Sequence, residues 1–469
     1  MGTVCAALLL ASTITAPALC QRAPGVAVWL TSADRSSLLT QQPSPLRFTR
    51  AAAGAGLVID VDRTQRFQQM DGFGFALTGG SASLIMQMTP ASRTALLKEM
   101  FGRAKGSIGV SYLRVSIGAS DMNARVFTYD DLAGEQTDPE MSKFALGPDL
   151  ADVVPVLKEI LAIDPKIAIL ASPWTAPSWM KTNNLPKGGS LAPEWYQAYA
   201  NYFVAYLRAM ASQGIRIRAI TIQNEPLNPK NTPSMVMTAK EEATFLGDAL
   251  GPALRKAGLT PEVVLYDHNC NRPDYPLDIL GDAKAAPYAT GSGFHLYEGT
   301  IDAMTKVHDA YPGKALYFTE QMVVQDEKEK PFKIAQSTGR LMIGAPRNWS
   351  RNVLLWNLAA DPHFGPHTND GGCPVCQGAI TLDGDQVTRN LAFYTVAQVS
   401  QFVPPGSTRI ASDSKDSTTL SSVAFETPSH ETVLVVANRG SEEQAFTVKE
   451  RKRSFTSKLA AGDVASFVW

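Results

Sequence analysis

Between residues 73 and 358 the chain repeats one pattern, a short apolar run of strand formers followed in most cases by a stretch with helical periodicity. Eight such runs occur, at residues 73–78, 112–117, 167–172, 219–224, 263–267, 291–296, 315–320 and 352–357. Strands that are apolar along their whole length need cover on both faces, which is the condition of a parallel sheet flanked by helices. Eight such units close the sheet into a barrel. The helix signals agree. Pro90 follows Thr89 at a first helical position, Thr238 and Glu241 have capping-box spacing, and a helical pattern over 195–210 stops at Gly214. An open doubly wound sheet is the competing arrangement, but no Gly-x-Gly-x-x-Gly turn follows the first strand. The expected fold is α/β, a (β/α)8 TIM barrel over 65–400.

After Phe402 the pattern changes. Short β-like runs at 408–410, 418–425, 432–438, 445–448 and 464–469 are separated by Asp, Ser, Gly and Pro turns, which predicts an attached all-β sandwich over 401–469. The strand-like segment 57–63 precedes the barrel and can complete that sandwich. Residues 21–64 are therefore read as an extended segment and a strand that join it.

With 469 residues, 45% of them hydrophobic, the chain can bury a large core. Its 43 Lys and Arg nearly cancel 44 Asp and Glu, which argues against a polyanionic partner such as nucleic acid and suits a neutral carbohydrate. Residues 4–18 are apolar and small, too short to span a bilayer, and Ala18-Leu19-Cys20 puts small residues where a signal peptidase reads, although no Lys or Arg stands near Met1. Residues 1–20 are thus expected to be a signal peptide and the protein to be secreted or periplasmic. No later stretch is apolar for long enough to be an integral membrane segment.

Of the five cysteines, Cys5 and Cys20 lie in that leader. His363, His367, Cys373 and Cys376 are close enough in sequence to raise a zinc site, but Gly365, Gly371 and Gly372 favour a ligand-facing loop. A local disulfide or a pair of thiols is preferred there, which leaves Cys270 unpaired. No metal or other cofactor is expected.

Two of the eight strands run straight into a glutamate, Ile220-Thr221-Ile222-Gln223-Asn224-Glu225-Pro226 and Leu316-Tyr317-Phe318-Thr319-Glu320. A carboxylate just past the end of a buried strand is badly solvated and needs a reason to be there. In a barrel both would stand at the C-terminal mouth, where active sites lie. Hydrolysis of a glycosidic bond needs such a pair, a proton donor for the leaving oxygen and a carboxylate at the anomeric carbon, and retaining enzymes hold them about 5 Å apart. The alternative is a pair of buried salt-bridge partners.

Six segments carry a specific resemblance. They are Phe67 with Met70-Asp71-Gly72-Phe73-Gly74, the run from Ala171 to Lys181, Gln223-Asn224-Glu225-Pro226, His295-Leu296-Tyr297, Thr319-Glu320 and Leu355-Trp356-Asn357-Leu358. In this order they resemble glycoside hydrolase family 30, which holds glucosylceramidases and endo-β-1,6-glucanases, from residue 55 to Trp469. The resemblance implies a barrel with a β-sandwich, and double displacement with retention. It implies Glu225 as acid/base, held protonated by the negative charge of Glu320, and Glu320 as nucleophile.

The resemblance further implies Asn224 on the sugar 2-hydroxyl, Trp174 and Trp356 as subsite walls, and Tyr297 beside the nucleophile. Arg114 would keep carboxylates ionised, His295 and Asn369 would line the sugar pocket, and Asp121 and Asp267 would stand behind the contacting residues. Where the glucosylceramidases have an aspartate after a threonine, this chain reads Thr78-Gly79-Gly80, which implies an opening there for a further sugar. The run Ser116 to Asp121 also looks closer to β-1,6-glucanase relatives. The expected function is endo-β-1,6-glucanase-like hydrolysis of a β-glucan or glucoside, with glucosylceramidase or β-xylosidase as the alternative reading. Two readings from other classes are a carbohydrate-binding protein without catalysis and a metal-dependent hydrolase built on the His363–Cys376 cluster.

Overall fold

The computed structural model describes residues 25–50, 57–325, 331–414 and 417–469. Eight parallel strands, Gly72–Leu77, Tyr112–Ile117, Ala168–Pro173, Ala219–Thr221, Glu262–Cys270, Gly291–Gly299, Ala315–Glu320 and Ser350–Leu355, form a closed barrel in which the eighth pairs with the first. The expected (β/α)8 barrel with an attached sandwich is the observed fold. The fourth strand is shorter than its apolar run. After Thr221 the backbone leaves the ladder, Asn224 N–H donating to Pro173 O and Glu225 N–H to Asp267 O, and this lifts Asn224 and Glu225 to the barrel mouth.

Side chains two residues apart on a strand share a face, so the barrel interior is layered. Tyr112, Leu170, Ala219, Val264, Tyr317 and Leu354 make an apolar layer. Two residues further along, Arg114, Ser172, Thr221 and Thr319 make a polar one, all fully buried. Beneath the apolar layer Asp71 pairs with Arg351 and Arg218, and Arg218 with Glu262, at 2.9–3.1 Å. The helix signals hold unequally. Thr238 and Glu241 form the capping box that starts the helix Ala239–Phe245, whereas Thr89 caps no helix amide and gives its hydroxyl to Asp385.

The sandwich draws on both ends of the described chain. Ala27–Thr31 and Leu57–Gln69 pair with Val464–Val468 and Thr408–Ser414 in one ten-stranded sheet system. Arg453–Leu459 is a strand the sequence pattern does not announce, because only Phe455 and Leu459 mark its apolar face. Ile59, Phe446, Phe467 and Trp469 build a core of the sandwich's own. Val423, Phe425 and Val433 face the barrel instead, Phe425 meeting Phe73 edge-on at 6.3 Å.

A small sheet also goes unannounced, Ala359–Ala360 with Ile380–Asp383 and Gln386–Arg389, and it carries the loop 361–379. Within that loop Cys373 and Cys376 form a disulfide, while Cys270 is free and buried. The disulfide takes both sulfurs out of the zinc set considered above. Among the described residues no helix is long and apolar enough to cross a membrane. The expected signal peptide lies outside the described residues.

Candidate active site

Arg114 organises the polar layer. Its guanidinium is fully buried and donates to Glu320 Oε2 at 2.6 Å, Asp267 Oδ2 at 2.7 Å and Asn224 Oδ1 at 2.6 Å. The rings of Trp174 and Trp356 face it at 4.8 and 5.8 Å. Burial alone would lower the arginine pKa, but the two carboxylates raise it overall, so its charge is fixed. Asp267 is gripped from four sides, by Arg114, by Ser172 and Thr319 hydroxyls at 2.8 and 2.6 Å, and by His295 Nε2 at 3.1 Å. Burial pushes this carboxyl up, and Arg114 with His295 more than reverses it. Asp267 is therefore a permanent anion that orients Arg114 and His295.

The two glutamates meet at one imidazole. His295 Nδ1 lies 3.3 Å from Glu225 Oε1 and 3.8 Å from Glu320 Oε1. That caps the separation of these oxygens at about 7 Å, with about 5 Å typical of a retaining pair and about 6.5–9.5 Å of an inverting one. Tyr297 donates its hydroxyl to Glu320 Oε1 at 3.0 Å and holds the carboxylate from the open side. Asn228 Nδ2 donates to Glu225 Oε2 at 2.7 Å. Burial raises the Glu320 pKa beyond what His295 and Arg114 can offset.

At Glu225 the balance goes the other way. Burial pushes the carboxyl up, and the His295 hydrogen bond and charge, helped by His268 and Asn228, bring it down to about 2. Burial would lower His295, and Glu320, Asp267 and Glu225 raise it to about 9. This corrects the expectation that Glu320 keeps Glu225 protonated: a protonated imidazole stands between them. Moving that proton from Nδ1 to Oε1 leaves the net charge of the cluster unchanged, so His295 holds a proton that it can pass to Glu225 across their 3.3 Å contact.

The backbone at these strand ends is unusual. Glu225, Asp267 and Asn357 have φ of 45°, 53° and 33°. Left-handed non-glycine residues cost about 1–3 kcal/mol each and persist where the surroundings impose them. Here the Glu225 amide bonded to Asp267 O ties two of the three together.

Above the cluster opens a cavity of about 600 Å³. Trp174 and Trp356, both buried and 5.4 Å apart between ring centroids, form one wall with Cys373 and Cys376 behind. Asn224 lines the floor, and with its carbonyl oxygen held by Arg114 it has N–H to offer a bound hydroxyl. On the side of Glu225 the cavity is lined by Asn228, Asn231, Asn269, Asn271, Lys230 and Arg272, with Leu227 and Pro229 among them.

The structure brings Glu225, Glu320, Asn224, Trp174, Trp356, Tyr297, Arg114 and His295 together. It does not bring Asn369, which is exposed on the loop after the eighth strand and borders no part of the cavity. In its place Thr368 turns inward, its amide bonded to Asp121 O. The expectation at Gly79 and Gly80 is also corrected. A Cβ on Gly79 would stand 1.9 Å from the Asn123 amide nitrogen, and one on Gly80 2.5 Å from Met122 O. These glycines make room for the neighbouring loop rather than for a sugar.

Two residues play larger parts than their sequence context suggests. Asp121 is 6% exposed and lines the cavity directly, its pKa raised by burial and then by Glu320 and Glu225 to about 8. His268 also lines the cavity beside Glu225. The signal for His268 is a polar residue directly after the apolar run 263–267, as Glu225 follows its own run, whereas Asp121 stands in the loop after the strand Tyr112–Ile117.

The comparisons with known proteins extend over nearly the whole chain. Residues 70–403 match the glycosyl hydrolase family 30 TIM-barrel domain and residues 406–467 the glycosyl hydrolase family 30 beta sandwich domain. An endo-1,6-β-D-glucanase of Neurospora crassa is 33% identical over 92% of both chains. The lysosomal acid glucosylceramidase of Mus musculus is 28% identical over 89% of this chain and 84% of that one. Among solved structures, the endo-β1,6-glucanase BT3312 superposes with a TM-score of 0.87 at 34% identity, covering 95% of this chain and 99% of the other.

Proposed function

The chain belongs to glycosyl hydrolase family 30 and is a glycoside hydrolase, and from that premise we propose that it cleaves β-1,6-glucan internally, with retention, using Glu320 as nucleophile and Glu225 as acid/base. Glu320 is ionised beside Arg114 and Tyr297 and attacks the anomeric carbon. As the bond to the leaving oxygen stretches, the proton held by His295 passes to that oxygen through Glu225. Glu225 then takes a proton from the water that releases the sugar. Asp267 holds His295 and Arg114 in register throughout, and Asn224 meets the 2-hydroxyl as charge develops at the ring.

The observation that carries the substrate reading is the amide-rich lining of the cavity around Glu225. A leaving group on this side meets the amides of Asn228, Asn231, Asn269 and Asn271 in greater number than the apolar Leu227 and Pro229, which pairs with the hydroxyls of a sugar better than with an alkyl chain. Relatives matched over most of their length carry the endo-β-1,6-glucanase name. The test is product analysis on β-1,6-glucan beside glucosylceramide. Short β-1,6 oligosaccharides from the polymer are expected. Efficient glucose release from the lipid with the polymer untouched would replace this reading with the glucosylceramidase one. An exported enzyme, secreted or periplasmic, is proposed alongside, and the Cys373–Cys376 disulfide suits an oxidising compartment. Fractionation of the producing cells tests it.

A further inference from the structure

His268 stands on the fifth strand one residue past Asp267, is 8% exposed and borders the cavity. Its Nδ1 is buried and meets no hydrogen-bond partner among the described residues. Glu225 Oε1 is 3.8 Å away, beyond hydrogen-bond length. The ring lies edge-on to Tyr266, centroids 5.7 Å apart. A buried polar atom without a partner is unusual in a folded protein, and a ligand that completes it is one reason for its retention.

The position says what that ligand is. Glu225 Oε1 has to reach the oxygen that leaves, so a group bound just past that oxygen comes within range of the His268 ring. We propose that His268 is a leaving-group subsite residue, its imidazole hydrogen-bonding a hydroxyl of the sugar released in the first step. This rests on the β-glucan reading above. In a 6-linked glucose the leaving oxygen is borne on C6, and the 4-hydroxyl is the nearest hydroxyl on that ring. Burial pushes the imidazole down to about 4, with the Glu225 charge restoring only part. The ring is therefore neutral at working pH, with one nitrogen to donate and one to accept.

The test compares kcat/KM for a β-1,6-linked glucose disaccharide, the same disaccharide lacking the 4-hydroxyl of its leaving sugar, and 4-nitrophenyl β-glucoside, which has no leaving-group hydroxyl. His268→Ala should lose about 10- to 100-fold on the intact disaccharide, at least about tenfold more than on the aryl glucoside. The wild type should lose a similar factor on the 4-deoxy disaccharide, and the variant should lose little further on it. His268→Gln should recover part of the loss.

Equal losses on disaccharide and aryl glucoside, or losses from variant and deoxy substrate that multiply, overturn the inference alone. A wild type active on the aryl glucoside but inert on every β-1,6 substrate overturns the β-1,6 reading and this inference with it. Should His268→Ala fail to fold, the deoxy substrate on wild type decides, since an unchanged kcat/KM there overturns the assignment.

Discussion

The two ends of the barrel are both closed by charge, and they are built differently. At the N-terminal end Asp71 and Glu262 face Arg218 and Arg351, two acids against two bases, with the arginine side chains about one third exposed. At the C-terminal end Arg114 and His295 face Asp267, Glu320, Glu225 and Asp121, all of them buried. The first set is balanced, a buried Asp71 among partners open to solvent, so each charge is satisfied and none has a reason to react. The second has more acids than bases among buried side chains, and its carboxyls are driven apart, Asp267 held lowest, Glu225 down to about 2 and Asp121 up to about 8. Carboxyls pushed apart in this way can take different chemical roles.

The largest effect that would sharpen this contrast is expected from Glu320→Gln. Turnover should fall by about 10⁴-fold or more with the fold intact, because the covalent intermediate cannot form. Intact-protein and peptide mass spectrometry after treatment with a 2-deoxy-2-fluoro glucoside should find the wild-type label on Glu320, and a label elsewhere would dismiss the assignment. Glu225→Ala comes next. It should lose about 10²–10⁴-fold on natural linkages and much less on aryl glucosides with good leaving groups. Azide should restore rate by forming a β-glycosyl azide, and an equal loss on both substrate types would remove Glu225 from the role.

Arg114→Met tests the buried plug as structure. It strands Glu320 and Asp267 without their shared cation, and a loss of about 3–5 kcal/mol is expected by urea unfolding. A change smaller than about 1 kcal/mol would mean the cluster relaxes instead.

The pH profile follows from the same charges. Glu320 must be ionised, and its pKa is raised from the ordinary 4.5, so kcat/KM should fall as pH drops through a value above 4.5. The proton that His295 can pass to Glu225 must be present, and it leaves as pH rises through about 9. The result is a bell whose alkaline limb should move to lower pH in His295→Asn. An unmoved limb would assign that proton elsewhere. Smallest of all is Arg218→Ala at the balanced end. Arg218 is partly exposed and the buried Asp71 keeps Arg351 as its partner, so a stability loss of about 0–1 kcal/mol is expected and kcat/KM should stay within about twofold.

The sequence shows the contrast unevenly. Both glutamates are legible because each follows an apolar run directly, and Arg114 because it interrupts one. The barrel is legible for the same reason: fully buried strands are written as unbroken apolar runs. What stays hidden depends on distance along the chain. Nothing local in His295 says that its Nδ1 will stand between Glu225 and Glu320, and this reverses the expected protonation of Glu225. Nothing in Gly79 says that Asn123 will fill the space beside it. Arg453–Leu459 is hidden for a different reason, since few of its side chains are apolar.

The sandwich has a consequence for how such a chain is made. Its sheet pairs Ala27–Thr31 with Val464–Val468, and Ala33 N–H reaches Asp463 across a separation of 430 residues. During synthesis the early strands wait, edges open, until the barrel has followed and the last strands arrive. Contacts so far apart in sequence are slow to form, and waiting edges invite pairing with other chains. The sandwich is therefore not a module that could be cut away or grafted elsewhere as a sugar-binding unit. It is a clasp, and closing it is a late event in folding.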